Sequence, residues 1–385
     1  MESEFNVYID GAEVDPRAFW GHPTAFIEGA LLPRERTSFQ LPTGGAVYFD
    51  RGVIEVVTPV IELAPGCPAR MVRNLWEQIA FVRRELSKWE ERAGRHVRLK
   101  AYSAHYNVSF DLPRAKQGPG RNVRRLAHLL AHILPVPVAL AGTNRRSTGV
   151  GVRPRGDRIE VTADFTPDPG LMMATAAAVI GIVRDVMSWP SYEISLLDRL
   201  PVPTIEGVVP GKHTSRKGWL TKDVHYPQSP FTCDVDAPIW KVRGAGSPSV
   251  SLREIALRTA WYFRRSIRRY ADPFSVRLLF SVLRGRAPSL LELADRPRAY
   301  EDVGRLCRWG MAGMAPLPER RLTRSAYEQV FLQLVSGERL RVGRQTYTPV
   351  GMKGWYHAVF RGDADGRERL LTIDQLLGKM GDWQP

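Results

Sequence analysis

Residues of opposite polarity alternate from Glu2 to Ile9 and again from Val97 to Phe110, which predicts two strands with chemically distinct faces. In the first, Glu2 and Glu4 share a face. In the second, Tyr102, Ala104, Tyr106, Val108 and Phe110 line one face, and Ser103, His105, Asn107 and Ser109 line the other. Between them, Tyr48, Val53, Ile54, Val56 and Val57 follow a Gly44-Gly45 turn signal and predict a hairpin over 38–60. This β-rich run carries two carboxylates, Asp50 and, five residues on, Glu55. The stretch from Asp157 to Asp164 repeats the device with Glu160.

Helical periodicity is clearest from Pro68 to Ala93. There Met71, Leu75, Ile79, Val82, Leu86, Trp89 and Ala93 recur at spacings of three or four, so the helix should pack its stripe on the sheet. A turn at Asp10-Gly11 and a short helix capped by Asp15 precede it, and a helix over 121–134 follows. Leu171 to Met187 predicts a buried helix of small residues. Leu252 to Tyr270 predicts an Arg-rich one with Leu252, Ile255, Thr259, Phe263, Ile267 and Tyr270 on its apolar stripe. Shorter helices are expected at 273–284, 298–310 and 325–336, then a β-hairpin over 338–360 and a last helix from Leu370 to Leu377. Residues 190–250, rich in Pro, Gly and aromatics, read as loops and short strands covering a site. No internal repeat is present.

The length, 385 residues with 44% hydrophobic content, allows a large core and two or three domains. No unbroken run of about 18 apolar residues appears, and the start does not read as a signal peptide. Three distant cysteines, Cys67, Cys233 and Cys307, disfavour a disulfide framework or zinc site. These features lead us to expect a cytoplasmic protein with no membrane partner. Residues 251–345 hold nineteen Arg and no Lys against nine acids. Such a surface would suit an acidic partner, but Arg without Lys is also what GC-rich coding yields, so nucleic acid is not the expected partner.

Carboxylates within strands are the candidate chemistry. An ionised Glu flanked by Ile54, Val56 and Val57 is costly unless it is paired, binds a cation or faces solvent. Carboxylates converging with a His on one sheet face would suit Mg²⁺, which prefers hard oxygen ligands and bridges phosphates. The loop from Ala141 to Gly149 bears Gly, hydroxyls, Arg145 and Arg146, suited to phosphate although it is no Walker motif.

Several motifs together resemble the Pup ligase and Pup deamidase family, in the carboxylate–amine ligase branch of the glutamine synthetase-like fold. They are Glu2-Ser3-Glu4-Phe5, Gly45-Ala46-Val47-Tyr48-Phe49-Asp50 followed by Glu55, His105-Tyr106-Asn107, Gly142-Thr143-Asn144-Arg145-Arg146 and Arg158-Ile159-Glu160-Val161. The resemblance runs in order over about residues 1–190. It implies an α+β fold, a large, mostly antiparallel curved sheet backed by helices, with a smaller, mainly helical C-terminal domain. The catalytic domain would span 1–250, and the Arg-rich helical domain with its terminal β-hairpin 251–385.

The resemblance also implies roles. Glu2 and Glu55 would hold Mg²⁺, with Tyr48 and His105 in or beside the metal shell and Glu160 where the family has a His. Asp50 would be the central carboxylate, a base in a ligase or a nucleophile or water activator in a hydrolase. Arg145, Arg146 and Arg158 would meet the phosphates of ATP, with Glu4 beside the nucleotide. The substrates would be a carboxylate, such as the C-terminal Glu of a small acidic protein modifier or tail, and an amine or Lys-bearing acceptor. The alternatives are an amide or isopeptide hydrolase that uses nucleotide as cofactor, and a non-enzymatic basic binding protein. The short interval between Glu4 and Tyr48 favours the ligase layout.

Overall fold

The computed structural model describes residues 1–35, 37–213, 218–243, 248–292 and 324–380; the helix expected at 298–310 lies outside them. The chain forms two compact units. The first joins Met1–Leu63, Arg70–Tyr102 and Glu301–Pro385, and the second joins Ala64–Ala69 and Ser103–Tyr300. These limits differ from a single cut at residue 250, which marks a change of composition.

The chain opens with β1 (Glu2–Ile9), β2 (Ala12–Val14), helix α1 (Pro16–Trp20), β3 (Leu32–Glu35), β4 (Ser38–Gln40), β5 (Ala46–Asp50) and β6 (Val53–Val57). Helix α2 (Cys67–Ala93) and strand β7 (Val97–Ser109) follow. In the first unit the strand order is β7-β1-β6-β5-β4-β3, with β2 paired to β1. Two-residue turns set the registers. Asp10-Gly11 and Arg51-Gly52 have φ of +50°, +89°, +41° and +87°, the positive values that a type I′ hairpin turn demands. Phe5, Val7, Val47, Phe49, Ile54 and Val56 are buried on one sheet face. Helix α2 lies on that side: Trp89 packs against Trp20, and Trp20 against Phe49, with ring centroids 5.3 and 6.3 Å apart.

The second unit adds α3 (Val123–Ile133), α4 (Pro135–Gly142), β8 (Val150–Pro154), β9 (Arg158–Asp164) and α5 (Pro169–Met187). Then come β10 (Gly211–Lys212), β11 (Trp219–Thr221), α6 (Leu252–Tyr262), α7 (Arg264–Tyr270) and α8 (Pro273–Leu283). Its strand order is β10-β11-β8-β9-β7. Every stripe residue expected between Leu252 and Tyr270 is buried, but the single helix expected there breaks at Phe263, whose φ and ψ are −86° and 7°. By length and composition α5 could cross a membrane, yet 83% of its apolar window is buried inside the protein, as befits a core helix. A Cβ on Gly181 of α5 would lie 2.7 Å from the Ile267 Cα and 2.8 Å from its nitrogen. Gly181→Ala is therefore expected to cost about 1–3 kcal/mol by overpacking, more than the roughly 1 kcal/mol of helix propensity it gains. An unchanged urea midpoint would show that α5 and α7 can part freely.

The first unit is completed by α9 (Ala326–Val335), a four-stranded sheet β12 (Leu340–Val342), β13 (Gln345–Lys353), β14 (His357–Gly362) and β15 (Glu368–Thr372), and α10 (Ile373–Leu376). The hairpin expected over 338–360 is thus part of a larger sheet: β12, β13 and most of β14 fall in that range, and β15 lies beyond it. Leu370, Leu371 and Thr372 belong to β15 rather than to the last helix, because the Thr372 hydroxyl caps α10 through the Gln375 amide. The class is α+β, with antiparallel strands backed by helices, as expected.

Candidate functional site

The Arg51-Gly52 turn pairs Asp50 with Val53 and Tyr48 with Glu55, and β1 pairs Glu4 with Glu55 and Glu2 with Val57. Strand alternation therefore points Glu2, Glu4, Tyr48, Asp50 and Glu55 to the face opposite the core. Glu2 and Glu55 are 6% and 4% exposed, so neither carboxylate is bathed in solvent. The Tyr48 hydroxyl hydrogen-bonds Glu55 and lies 3.4 Å from a Glu2 oxygen.

Directly opposed like charges destabilise a sheet, and burial adds to the cost. Burial, then Glu2 and Glu4, push the Glu55 carboxyl up to about 9. Burial, then Glu2 and Glu55, raise the Tyr48 phenol well above its ordinary value. Two residues missed in the sequence close over this face. Arg34, from β3, stacks its guanidinium 3.2 Å from the Trp355 ring centroid and 5.4 Å from that of Tyr48. Its Nε donates to Ser38 Oγ at 2.9 Å. Burial pulls its pKa down to about 10 against the opposing pull of Tyr48, Glu35, Glu2 and Glu55. Trp355 comes from the turn between β13 and β14, some 300 positions away. No local pattern could have announced either residue.

In the second unit, β9 pairs Thr162 with His105 and Glu160 with Asn107, and β8 pairs Arg153 with Glu160. The polar face expected of β7 is real, with His105 Nε2 3.1 Å from Ser103 Oγ. Glu160 is fully buried and forms ion pairs with Arg153 and Arg155, whose Nε reaches it at 2.6 Å. Sequence reading missed both arginines. Their alternation in Val152-Arg153-Pro154-Arg155, beside a strand with an embedded Glu, was the available signal. Arg158 is engaged with Asn107 and Asp157, each at 2.9 Å. Arg145 and Arg146 are exposed after α4, in a loop that Asp164 anchors through the Asn144 backbone and side-chain amides, both at 2.9 Å. Arg145 Nε donates to the Leu291 carbonyl at 2.6 Å.

The donor set on the first unit's sheet is all hard oxygen and sheltered. That fits a small divalent cation such as Mg²⁺ better than a soft metal, which would call for thiolate or imidazole ligands.

No family model matches the chain, and no curated protein matches it in sequence. Among solved structures, one match is described as "Structure of the Pup Ligase PafA of the Prokaryotic Ubiquitin-like Modification Pathway in Complex with ADP". It is 11% identical, covers 94% of this chain and 92% of that chain, and has a TM-score of 0.44. A likeness this low adds no weight to the roles of individual residues.

Proposed function

We propose that the chain is an ATP- and Mg²⁺-dependent carboxylate–amine ligase. The observation that carries this reading is the crowding of Glu2, Glu4 and Glu55 on one sheltered sheet face, where burial and then the neighbouring carboxylates drive Glu55 up to about 9. Glu2 and Glu55, with Tyr48 beside them, would hold Mg²⁺. The bound ion would offset negative charge on the phosphates.

Joining a carboxylate to an amine needs a leaving group. The substrate carboxylate oxygen bonds to the γ-phosphorus of ATP, the bond to the β-phosphate oxygen breaks, and ADP leaves. The amine nitrogen then bonds to the acyl carbon, phosphate departs, and a base takes the ammonium proton. Asp50 is the carboxylate for that last task, at the end of β5 on the same face as Tyr48. Exposed Arg145 and Arg146 are suited to phosphate recognition as planar, permanently charged forks.

The test is turnover of ATP by the purified chain with Mg²⁺, an acidic polypeptide ending in Glu and a Lys-bearing acceptor. ADP release that requires both substrates, with a product one water lighter than their sum, supports the ligase. Amide cleavage without ADP formation would replace it with the hydrolase reading. No turnover, together with no Mn²⁺ binding by electron paramagnetic resonance, would remove both.

A further inference from the structure

Arginine without lysine after residue 250 is a matter of composition, but where the second unit's helices place their arginines is set by packing. Helix α7 turns Ile267 inward against Gly181 of α5. Tyr270 is buried with it, whereas Arg265, Arg268 and Arg269 are exposed and Arg264 is half-buried. At the end of α6, Trp261 is 47% exposed, an unusual position for so large a ring. The Arg264 guanidinium lies 4.9 Å from its ring centroid, and Arg284, exposed at the end of α8, lies 6.0 Å from it. Among the described residues none of these five arginines has a carboxylate partner, although Arg258 one turn earlier pairs with Glu254. Two guanidiniums beside an exposed indole and three more exposed on the adjoining helix, with no carboxylate partner among the described residues, favour an anion that meets several at once.

We infer that this face of α6, α7 and α8 binds single-stranded nucleic acid, through its phosphates and with Trp261 against a base. Guanidinium forks match phosphate oxygens bidentately. A positive surface interleaved with an exposed aromatic ring is the combination that holds single strands with little regard to sequence. An acidic polypeptide would satisfy the charges but would offer no base to meet the exposed indole. The inference does not depend on the ligase reading, since no residue of the carboxylate face takes part.

The probe is a fluorescein-labelled 20-mer oligothymidylate, titrated with the full chain and followed by anisotropy at several salt concentrations. Binding should weaken as salt rises. The R265E/R268E/R269E variant should bind at least tenfold more weakly, with a log–log salt slope shallower by about two, as three lost phosphate contacts require. Trp261→Ala should weaken binding further at fixed salt while leaving that slope unchanged. A control variant, R361E/R367E/R369E, on the separate C-terminal sheet, should bind as the parent does, and urea midpoints would confirm that the variants are folded. Equal binding by the parent and the α7 variant would overturn the inference. So would displacement of the oligonucleotide by polyglutamate at equal charge concentration, or binding to phosphatidylserine vesicles in its place.

Discussion

Asp50→Asn is expected to lower ATP-dependent amide formation by about 10²- to 10⁴-fold, the range that a positioned proton acceptor contributes. Stability should scarcely change. Asp50 is half-buried, ends β5 and pairs through the backbone with Val53 across the Arg51-Gly52 turn. Asn has nearly the same shape and suits a turn margin, but its amide cannot accept the amine's proton. Single-turnover kinetics with ATP in excess would locate the loss. Formation of ADP and the activated carboxylate should persist while transfer to the amine fails, and binding of Mn²⁺ to the Glu2 and Glu55 side should be retained. A variant that forms amide at the parental rate would take Asp50 out of the reaction and leave the carboxylate face as a cation site without a base.

How far this site could be read from the chain depends on the range of the signal. Strand β1 was legible to the residue, because alternation over Glu2–Ile9 is a local property and the face it implies is the face observed. The partnership of Asp50 and Glu55 depended on a turn. Five residues apart on one continuous strand, they would point to opposite faces. Only the reversal at Arg51-Gly52, with two positive φ values, brings them to the same side. Helix α4 was not among the expected elements; it carries Pro135 and Pro137 in its first turn, where the missing N–H leaves no bond unmade. Arg34 and Trp355 were beyond any local reading, since their meeting depends on packing between β3 and the C-terminal sheet of the same unit. Glu160 was seen as an embedded carboxylate, but the two arginines that neutralise it were not.

The same crowding makes a second expectation about the protein in the absence of divalent cations. Glu55 titrates near 4.5 when unfolded and near 9 in the fold, so folding favours its protonated form. The sign follows: below about pH 4.5 both states are protonated and Glu55 carries no penalty. As pH rises from there to about 9 the unfolded chain gives up the proton and the folded chain does not, so stability is lost progressively through that window. In EDTA, Glu55→Gln should match the parent near pH 4.5 and become the more stable of the two as pH rises, by several kcal/mol at the alkaline end. Gln keeps an oxygen that can accept from Tyr48, so the gain arises from the charge removed and not from a new contact. Mg²⁺ should narrow or invert the gap, because a cation stabilises the ionised parent and finds fewer ligands in the variant. Thermal melts of both proteins across pH, with and without Mg²⁺, read this directly. A gap that is flat with pH in EDTA would mean that Glu55 ionises in the fold as freely as in solution, and the carboxylate face would then have no need of a metal.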